Sequence, residues 1–208
     1  MNKGFYPPII EPSTTVAGCI DIYENVWPNW KETIEQVEAE CVKPESGINW
    51  QRATTIGQGI YQDARTNFDM GITYYVETTN NSVMRNIQNQ FYYLLMSTVL
   101  SYNKRYSINE PFWFENFNML KYQSGQEYKP HYDGGTPSRR HISAIIYLNN
   151  DYEGGEIEFP RHGVKIKPQP GMLMLFPSNY AYTHQAYPVT NGSKYAIVTW
   201  LNDQTPNH

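Results

Sequence analysis

The sequence predicts a mainly β chain with packed helices, an α+β arrangement in which two or three helices precede an all-β half. Short β-type runs separated by Gly, Pro and Asn crowd the chain after Pro111. Two apolar stripes at helical spacing lie before it, and neither strand–helix–strand alternation nor an internal repeat breaks that order. Six or seven short strands with turn signals between them describe a sandwich, a barrel or a jelly roll. Helices on the outside of one sheet would leave its other face to line a pocket.

Residues 1–28 are rich in proline and irregular, as expected of an arm or edge strand lying on the domain. From Trp30 to Cys41 the apolar residues Trp30, Ile34, Val37 and Cys41 recur at helical spacing, and Glu32, Glu35, Glu38 and Glu40 take the positions between them. That acidic run reads as a solvated helix face and not as a metal site. Residues 44–80 mix Gly, Thr, Asn and Gln with short apolar pieces, which suggests a long surface loop with edge strands. Asn81 or Ser82 caps a second helix whose stripe, Val83, Ile87, Phe91, Leu94, Leu95 and Thr98, runs to about Tyr102 and is core. Candidate strands follow at Phe114 to Tyr122, Ile142 to Leu148, Glu156 to Phe159, Val164 to Lys167, Met172 to Phe176, His184 to Val189 and Lys194 to Leu201.

With 208 residues the chain suits a single domain, residues 1–208, in which 1–110 supply the arm, helices and loop and 111–203 the β core. The 40% hydrophobic and 17% charged content excludes an intrinsically disordered chain. A net charge of −4 gives no global pull toward nucleic acid or anionic lipid. Arg139, Arg140, Arg161, Lys165 and Lys167 are balanced locally by Glu127, Asp151, Glu153, Glu156 and Glu158, so no strong nucleic-acid signal remains. Cys19 and Cys41 lack CxxC spacing and read as free thiols. No apolar run has the length of a signal peptide or membrane helix, so the expected location is cytoplasmic.

The chemistry begins at His131, Tyr132 and Asp133. In extended structure residues i and i+2 project to one side, which lets the imidazole and the carboxylate address one ion. A third ligand is needed, and His184 stands 51 residues beyond Asp133 at the head of another strand. Two imidazoles and a carboxylate on one face of an ion are the arrangement of non-haem Fe(II) oxygenases, though zinc also accepts this set. Lys194, ten positions past His184, opens a largely apolar strand. A lysine buried there is costly unless an anion meets it, as a dicarboxylate cosubstrate chelating the metal with its other end would do. Gly154 and Gly155 read as turn formers, and His141 and His162 lack an acidic i+2 partner that would make them ligands.

From about Phe114 to Leu201 the sequence resembles the prolyl 4-hydroxylase-like branch of the Fe(II) and 2-oxoglutarate dependent dioxygenases. The resemblance is carried by Leu120 to Tyr128, then His131 and Asp133, Arg140, Ile142 and Ser143, Tyr147 to Asn149, Glu153 to Glu156, Phe159 and Pro160, Pro170 and Gly171, Phe176 and Pro177, and finally His184, Pro188, Val189, Gly192, Lys194 and Trp200. It implies a double-stranded β-helix, a jelly-roll barrel open at one end. It implies His131, Asp133 and His184 as iron ligands, Lys194 as partner of the far carboxylate of 2-oxoglutarate, and Tyr122 as a hydrogen-bond donor to that cosubstrate. Thr199 and Trp200 fall where the last barrel strand lines the pocket, and Arg65, Thr66 and Asn67 resemble a mobile substrate-covering loop. Ser143 stands where many relatives have Thr.

The cofactors implied are Fe(II), 2-oxoglutarate and O2, with ascorbate as an optional reductant. The implied reaction hydroxylates a prolyl residue of a peptide or protein while 2-oxoglutarate becomes succinate and CO2. The same machinery would serve a free amino acid, another side chain or a nucleobase. A jelly-roll binding module and a zinc hydrolase are the readings outside this class.

Overall fold

The computed structural model describes residues 7–54, 64–109, 112–135 and 138–203. The first half contains β1 (Thr14–Val16), β2 (Ile20–Tyr23), α1 (Trp30–Cys41), β3 (Gln51–Arg52), β4 (Phe68–Gly71), α2 (Ile72–Thr79) and α3 (Ser82–Arg105). The second half contains β5 (Trp113–Phe114), β6 (Asn118–Gln123), β7 (Tyr128–His131), β8 (Arg140–Tyr147), β9 (Glu153–Gly154), β10 (Ile157–Phe159) and β11 (Val164–Ile166). It closes with β12 (Met172–Pro177), β13 (His184–Ala186), β14 (Val189–Asn191) and β15 (Ser193–Asn202).

A nine-stranded antiparallel sheet runs in the order β1-β2-β12-β8-β15-β6-β4-β3, with β5 also pairing β15. A four-stranded sheet, β11-β10-β13-β7, and the β14-β9 ribbon complete the jelly roll, which is not closed into a barrel. Strand alternation separates two environments. Tyr195, Ile197 and Leu201 of β15 join α2 and α3 in the main core. Lys194, Ala196, Val198 and Trp200 of the same strand face a cavity. The helices therefore cover one face of the large sheet and leave the other to a pocket, as the sequence suggests.

Helix α1 has the bounds that its periodicity predicts, but its acidic face is not all solvated. Glu40 is 6% exposed and accepts a hydrogen bond from Asn81 Nδ2 at 2.6 Å, while Glu38 pairs with Lys121 Nζ at 2.8 Å and accepts from the Tyr195 hydroxyl. These two carboxylates border the apolar stripe and tie the helix to its neighbours. Helix α3 begins where expected because Asn81 Oδ1 accepts from the backbone N–H groups of Val83 and Met84, a cap worth about 1 kcal/mol.

Three local expectations fail for identifiable reasons. The segment 44–80 is not all loop and edge strand, since Ile72–Thr79 forms α2 despite its β-branched and aromatic composition. Burial of Ile72 and Tyr75 outweighs that propensity, and residues 55–63 of the segment lie outside the described residues. β2 is no edge strand but pairs with both β1 and β12, with all four residues buried. The single strands expected at Phe114–Tyr122 and His184–Val189 are each split in two. No helix among the described residues is long and apolar enough to cross a membrane.

Candidate active site

β7 and β13 are neighbours in the small sheet, and their ladder sets His131 directly opposite His184. Asp133 follows two residues after the end of β7. Its Oδ1 lies 3.7 Å from His131 Nε2, and its Oδ2 lies 3.7 Å from His184 Nε2. One ligand atom from each of the three residues lies within 4.8 Å of the others. The His131 imidazole and the Asp133 carboxylate approach each other although Asp133 lies past the strand and not within it.

The protonation pattern suits metal binding. His131 Nδ1 is 2.8 Å from the Lys129 carbonyl and His184 Nδ1 is 3.1 Å from the Tyr182 carbonyl. A carbonyl only accepts, so each Nδ1 is the donor of its contact and each Nε2 is the ring nitrogen left toward Asp133. Burial holds the His131 imidazole well below the ordinary histidine range, so it is neutral at neutral pH. Burial pushes the Asp133 carboxyl up, but the His184 and His131 imidazoles and the Ser143 hydroxyl outweigh it and keep the group ionised.

The cavity holding these groups has a volume of about 1140 Å³. At one part of its wall β15 and β6 place Lys194 opposite Tyr122. Lys194 is 2% exposed, and its Nζ donates to the Gly155 carbonyl at 2.7 Å while lying 5.0 Å from the Tyr147 ring centroid. No carboxylate among the described residues pairs with it. Burial first, then the charge of Lys167, bring its pKa down to about 7 against the opposing pull of Glu156. An ammonium held in this way gains most from an arriving anion. Burial raises the pKa of the Tyr122 and Tyr147 phenols, which keeps both as O–H groups.

Trp200 lines the same cavity, with the Arg140 guanidinium stacked 3.6 Å above its ring. Arg140 is held by a two-pronged bond to Glu115, whose distances include 2.9 Å from Nε to Oε1 and 2.7 Å from Nη2 to Oε2. Thr199, expected beside Trp200 in the wall, points to the opposite face. It is fully buried and donates to the Glu115 carbonyl at 2.9 Å, because successive strand residues alternate sides. Arg65 lines the cavity, 5.2 Å from the Tyr128 ring. Thr66 and Asn67 do not: Thr66 bonds the Glu127 backbone, and Asn67 is fully buried, bonded to Arg65 and to the Phe68 carbonyl. Reading the sequence missed Tyr147, Glu115 and Arg140 as wall residues. The β-period from Ser143 through Ile145 to Tyr147 carried a signal for the first, whereas the other two depend on pairing between distant strands.

His141 and His162 do not join the cluster. The first lies 3.5 Å from Asp203 Oδ2, and the second contacts the Ala181 carbonyl at 3.0 Å.

Residues 117–202 match the 2OG-Fe(II) oxygenase superfamily. Over 122 residues the chain is 32% identical to prolyl 4-hydroxylase 13 of Arabidopsis thaliana, a stretch covering 45% of this chain and 44% of that protein. The chain thus spans less than half the length of that relative. The fold is similar to that of a prolyl hydroxylase from Trichoplax adhaerens in complex with a hypoxia inducible factor peptide fragment. The TM-score is 0.68 and the identity 20%, with 90% of this chain and 84% of that one covered. It is also similar to the viral collagen prolyl hydroxylase of Paramecium Bursaria Chlorella virus-1 in its 2OG complex, with a TM-score of 0.61 and 21% identity over 89% and 97% of the two chains. The superfamily implies Fe(II) and 2-oxoglutarate, and the residues present fit both: two imidazoles whose Nδ1 atoms meet backbone carbonyls, a carboxylate beside them, and a buried lysine with no carboxylate partner among the described residues. Residues 117–202, which contain His131, Asp133, His184 and Lys194, are similar to the 2OG-Fe(II) oxygenase superfamily, and the chain resembles prolyl 4-hydroxylases in part of its sequence and prolyl hydroxylases in its fold.

Proposed function

We propose that the protein is an Fe(II)- and 2-oxoglutarate-dependent dioxygenase that hydroxylates a prolyl residue of a peptide or protein, using O2 and releasing succinate and CO2. The observation that carries this reading is the convergence on one cavity of the His131, Asp133 and His184 donors with the buried Lys194, which has no carboxylate partner among the described residues. A binding module or a zinc hydrolase would leave that ammonium without a purpose.

In this reading His131 Nε2, Asp133 and His184 Nε2 hold the metal, which together with 2-oxoglutarate supplies the activation of oxygen. Asp133 contributes the negative charge that two neutral imidazoles cannot. Lys194 binds the distant carboxylate of the cosubstrate, and Tyr122 and Tyr147, whose rings lie 5.4 and 5.0 Å from its Nζ, donate to the same group in this reading. Apolar wall residues Leu120, Ile145, Ile157 and Val198 exclude water, which strengthens the Lys194 ion pair. Trp200 and the Arg140–Glu115 pair offer a flat aromatic and cationic surface where a prolyl ring and its flanking carbonyls can rest, and Arg65 lines the same cavity. We also read the chain as one catalytic domain, since the helices of its first half pack on the sheet of its second.

The test is purified protein supplied with Fe(II), 2-oxoglutarate and proline-containing peptides, followed by succinate release and by mass spectrometry of the peptide. Succinate coupled to one added oxygen on proline supports the reading. Succinate formation that no proline peptide stimulates would reject the prolyl substrate, and absence of both products would reject the dioxygenase.

A further inference from the structure

We infer that two buried serines, Ser178 and Ser143, form a hydroxyl relay that presets the Asp133 carboxylate for the metal and ties it to the chain segment leading to His184. The inference rests on the metal-site reading above.

Asp133 needs an external hold. The last ladder pair of β7 is His131 with His184, so no sheet hydrogen bond fixes the backbone at Asp133. Ser143 supplies the hold from β8, donating from Oγ to Asp133 Oδ2 at 2.6 Å. A hydroxyl has one proton, and an ionised carboxylate cannot donate. The Ser143 proton is therefore directed at Asp133, and in the 2.8 Å contact between the two serine oxygens Ser178 is left as the donor. The relay has one direction, from Ser178 to Ser143 to Asp133. Ser143 is 0% and Ser178 1% exposed, so water does not compete for either bond.

Ser178 also fixes the backbone that carries Asp133. Its carbonyl accepts from the Gly134 N–H at 2.7 Å, and its own N–H donates to the His141 carbonyl at 2.9 Å. This approach depends on Gly134, where a Cβ would lie 2.8 Å from the Arg140 carbonyl oxygen and 3.0 Å from that of Ser178. Six residues later the same segment reaches His184. Between them Asn179 Oδ1 accepts from the Ala181 N–H at 3.0 Å, and the Tyr182 carbonyl orients the His184 ring. One serine thus sits where the Asp133 and His184 arms meet, and it acts on the metal only through Asp133 and the backbone. Ser143 and Ser178 are positioning residues.

The experiment is Mn(II) titration of the full chain, read by loss of the free-ion electron paramagnetic resonance signal, with the metal-free melting temperature recorded for each variant. Ser143→Ala should weaken Mn(II) binding roughly 10- to 100-fold, the range for removing a hydrogen bond to a metal ligand. Ser143→Thr should restore most of the affinity, and Ser143→Val, which has the shape of Thr without the hydroxyl, should not. Ser178→Ala should weaken binding roughly three- to ten-fold, as loss of one hydrogen bond at a further remove implies. Wild-type affinity in Ser178→Ala, or equal affinity in the Thr and Val variants, would overturn the relay. If Ser143→Ala does not fold, the Ser178→Ala titration decides alone. Failure of the wild type to bind Mn(II) overturns the metal-site reading and the relay with it, whereas binding by the wild type and equally by every variant removes only the relay.

Discussion

His131 and His184 are cross-strand partners in the small sheet, with their ring centroids 4.3 Å apart and both Nδ1 atoms bonded to backbone carbonyls. The sheet pairing that defines this register sets the two histidines side by side. The proposed metal site is in this sense a property of the β7–β13 ladder, and Asp133 is the member added from outside it.

Replacing any of the three donors should therefore remove metal before it removes the fold. His131→Ala, Asp133→Ala and His184→Ala are each expected to lower Mn(II) or Fe(II) affinity by on the order of 100-fold or more, beyond the usual effect of losing an outer hydrogen bond. Isothermal titration with Mn(II) measures this, and affinity equal to the wild type in any of the three would remove that residue from the site.

Lys194 should govern the cosubstrate and not the metal. Lys194→Met is expected to raise the apparent KM for 2-oxoglutarate by roughly 30-fold or more, the scale for truncating one member of a buried charge pair, while Mn(II) affinity stays unchanged. A 2-oxoglutarate titration that Lys194→Met leaves unmoved would contradict the anchor role.

The same lysine sets a pH dependence. In the free protein its pKa is brought down to about 7, first by burial and then by Lys167. A bound carboxylate favours the charged form, so the complex holds more protons than the free protein above that pH. Affinity for 2-oxoglutarate should accordingly be flat below about pH 7 and fall above it, approaching a factor of ten per pH unit. Calorimetry in buffers of different ionisation enthalpy should show proton uptake on binding at pH 8, and zero uptake there would refute the linkage.

The anchor depends on a turn that tolerates no side chain. Gly154 has a φ of 69°, and a Cβ on it would stand 2.3 Å from the Pro188 carbonyl oxygen. Gly154→Ala therefore combines a left-handed backbone cost of about 1–2 kcal/mol with a backbone clash. A fall in thermal stability accompanied by a raised KM for 2-oxoglutarate is expected, because the neighbouring Gly155 carbonyl holds Lys194. Unchanged melting and unchanged KM would show that the turn can relax.

Arg140 tests the substrate surface. Lysine in its place keeps the charge but loses the two-pronged bond to Glu115 and the flat stack on Trp200. Arg140→Lys should raise the KM for a proline peptide several-fold, as loss of a charged hydrogen bond implies, and leave the KM for 2-oxoglutarate unchanged. Parallel changes in both constants would point instead to a general disturbance of the cavity.

Much of the site was legible because its chemistry needs unusual residues in unusual company. His131 and Asp133 gain meaning from their i, i+2 spacing only with His184 as a third donor, and Lys194 from interrupting an apolar strand beside that set. Less was legible where neighbours in space are remote in sequence. Glu115 and Arg140 are 25 residues apart and pair only because β5 and β8 both flank β15. Thr199 was read onto the wrong face because strand parity must be counted from a known side, and Glu38 and Glu40 looked solvated because their partners Lys121 and Asn81 lie on other elements. Helix α2 was invisible to local propensity, which Ile72 and Tyr75 override by burial.

By itself the sequence determined the order of helices before strands, the bounds of α1, the capped start of α3, and the kinds of atoms available to a metal and an anion. These follow from periodicity, capping and side-chain chemistry, all of which act over a few residues. Only the tertiary structure decided that His184 lies opposite His131, that Ser178 supports Ser143, and which face of β15 lines the cavity. Those relations depend on sheet register, and register is settled by the simultaneous burial of many side chains contributed by segments far apart in the chain.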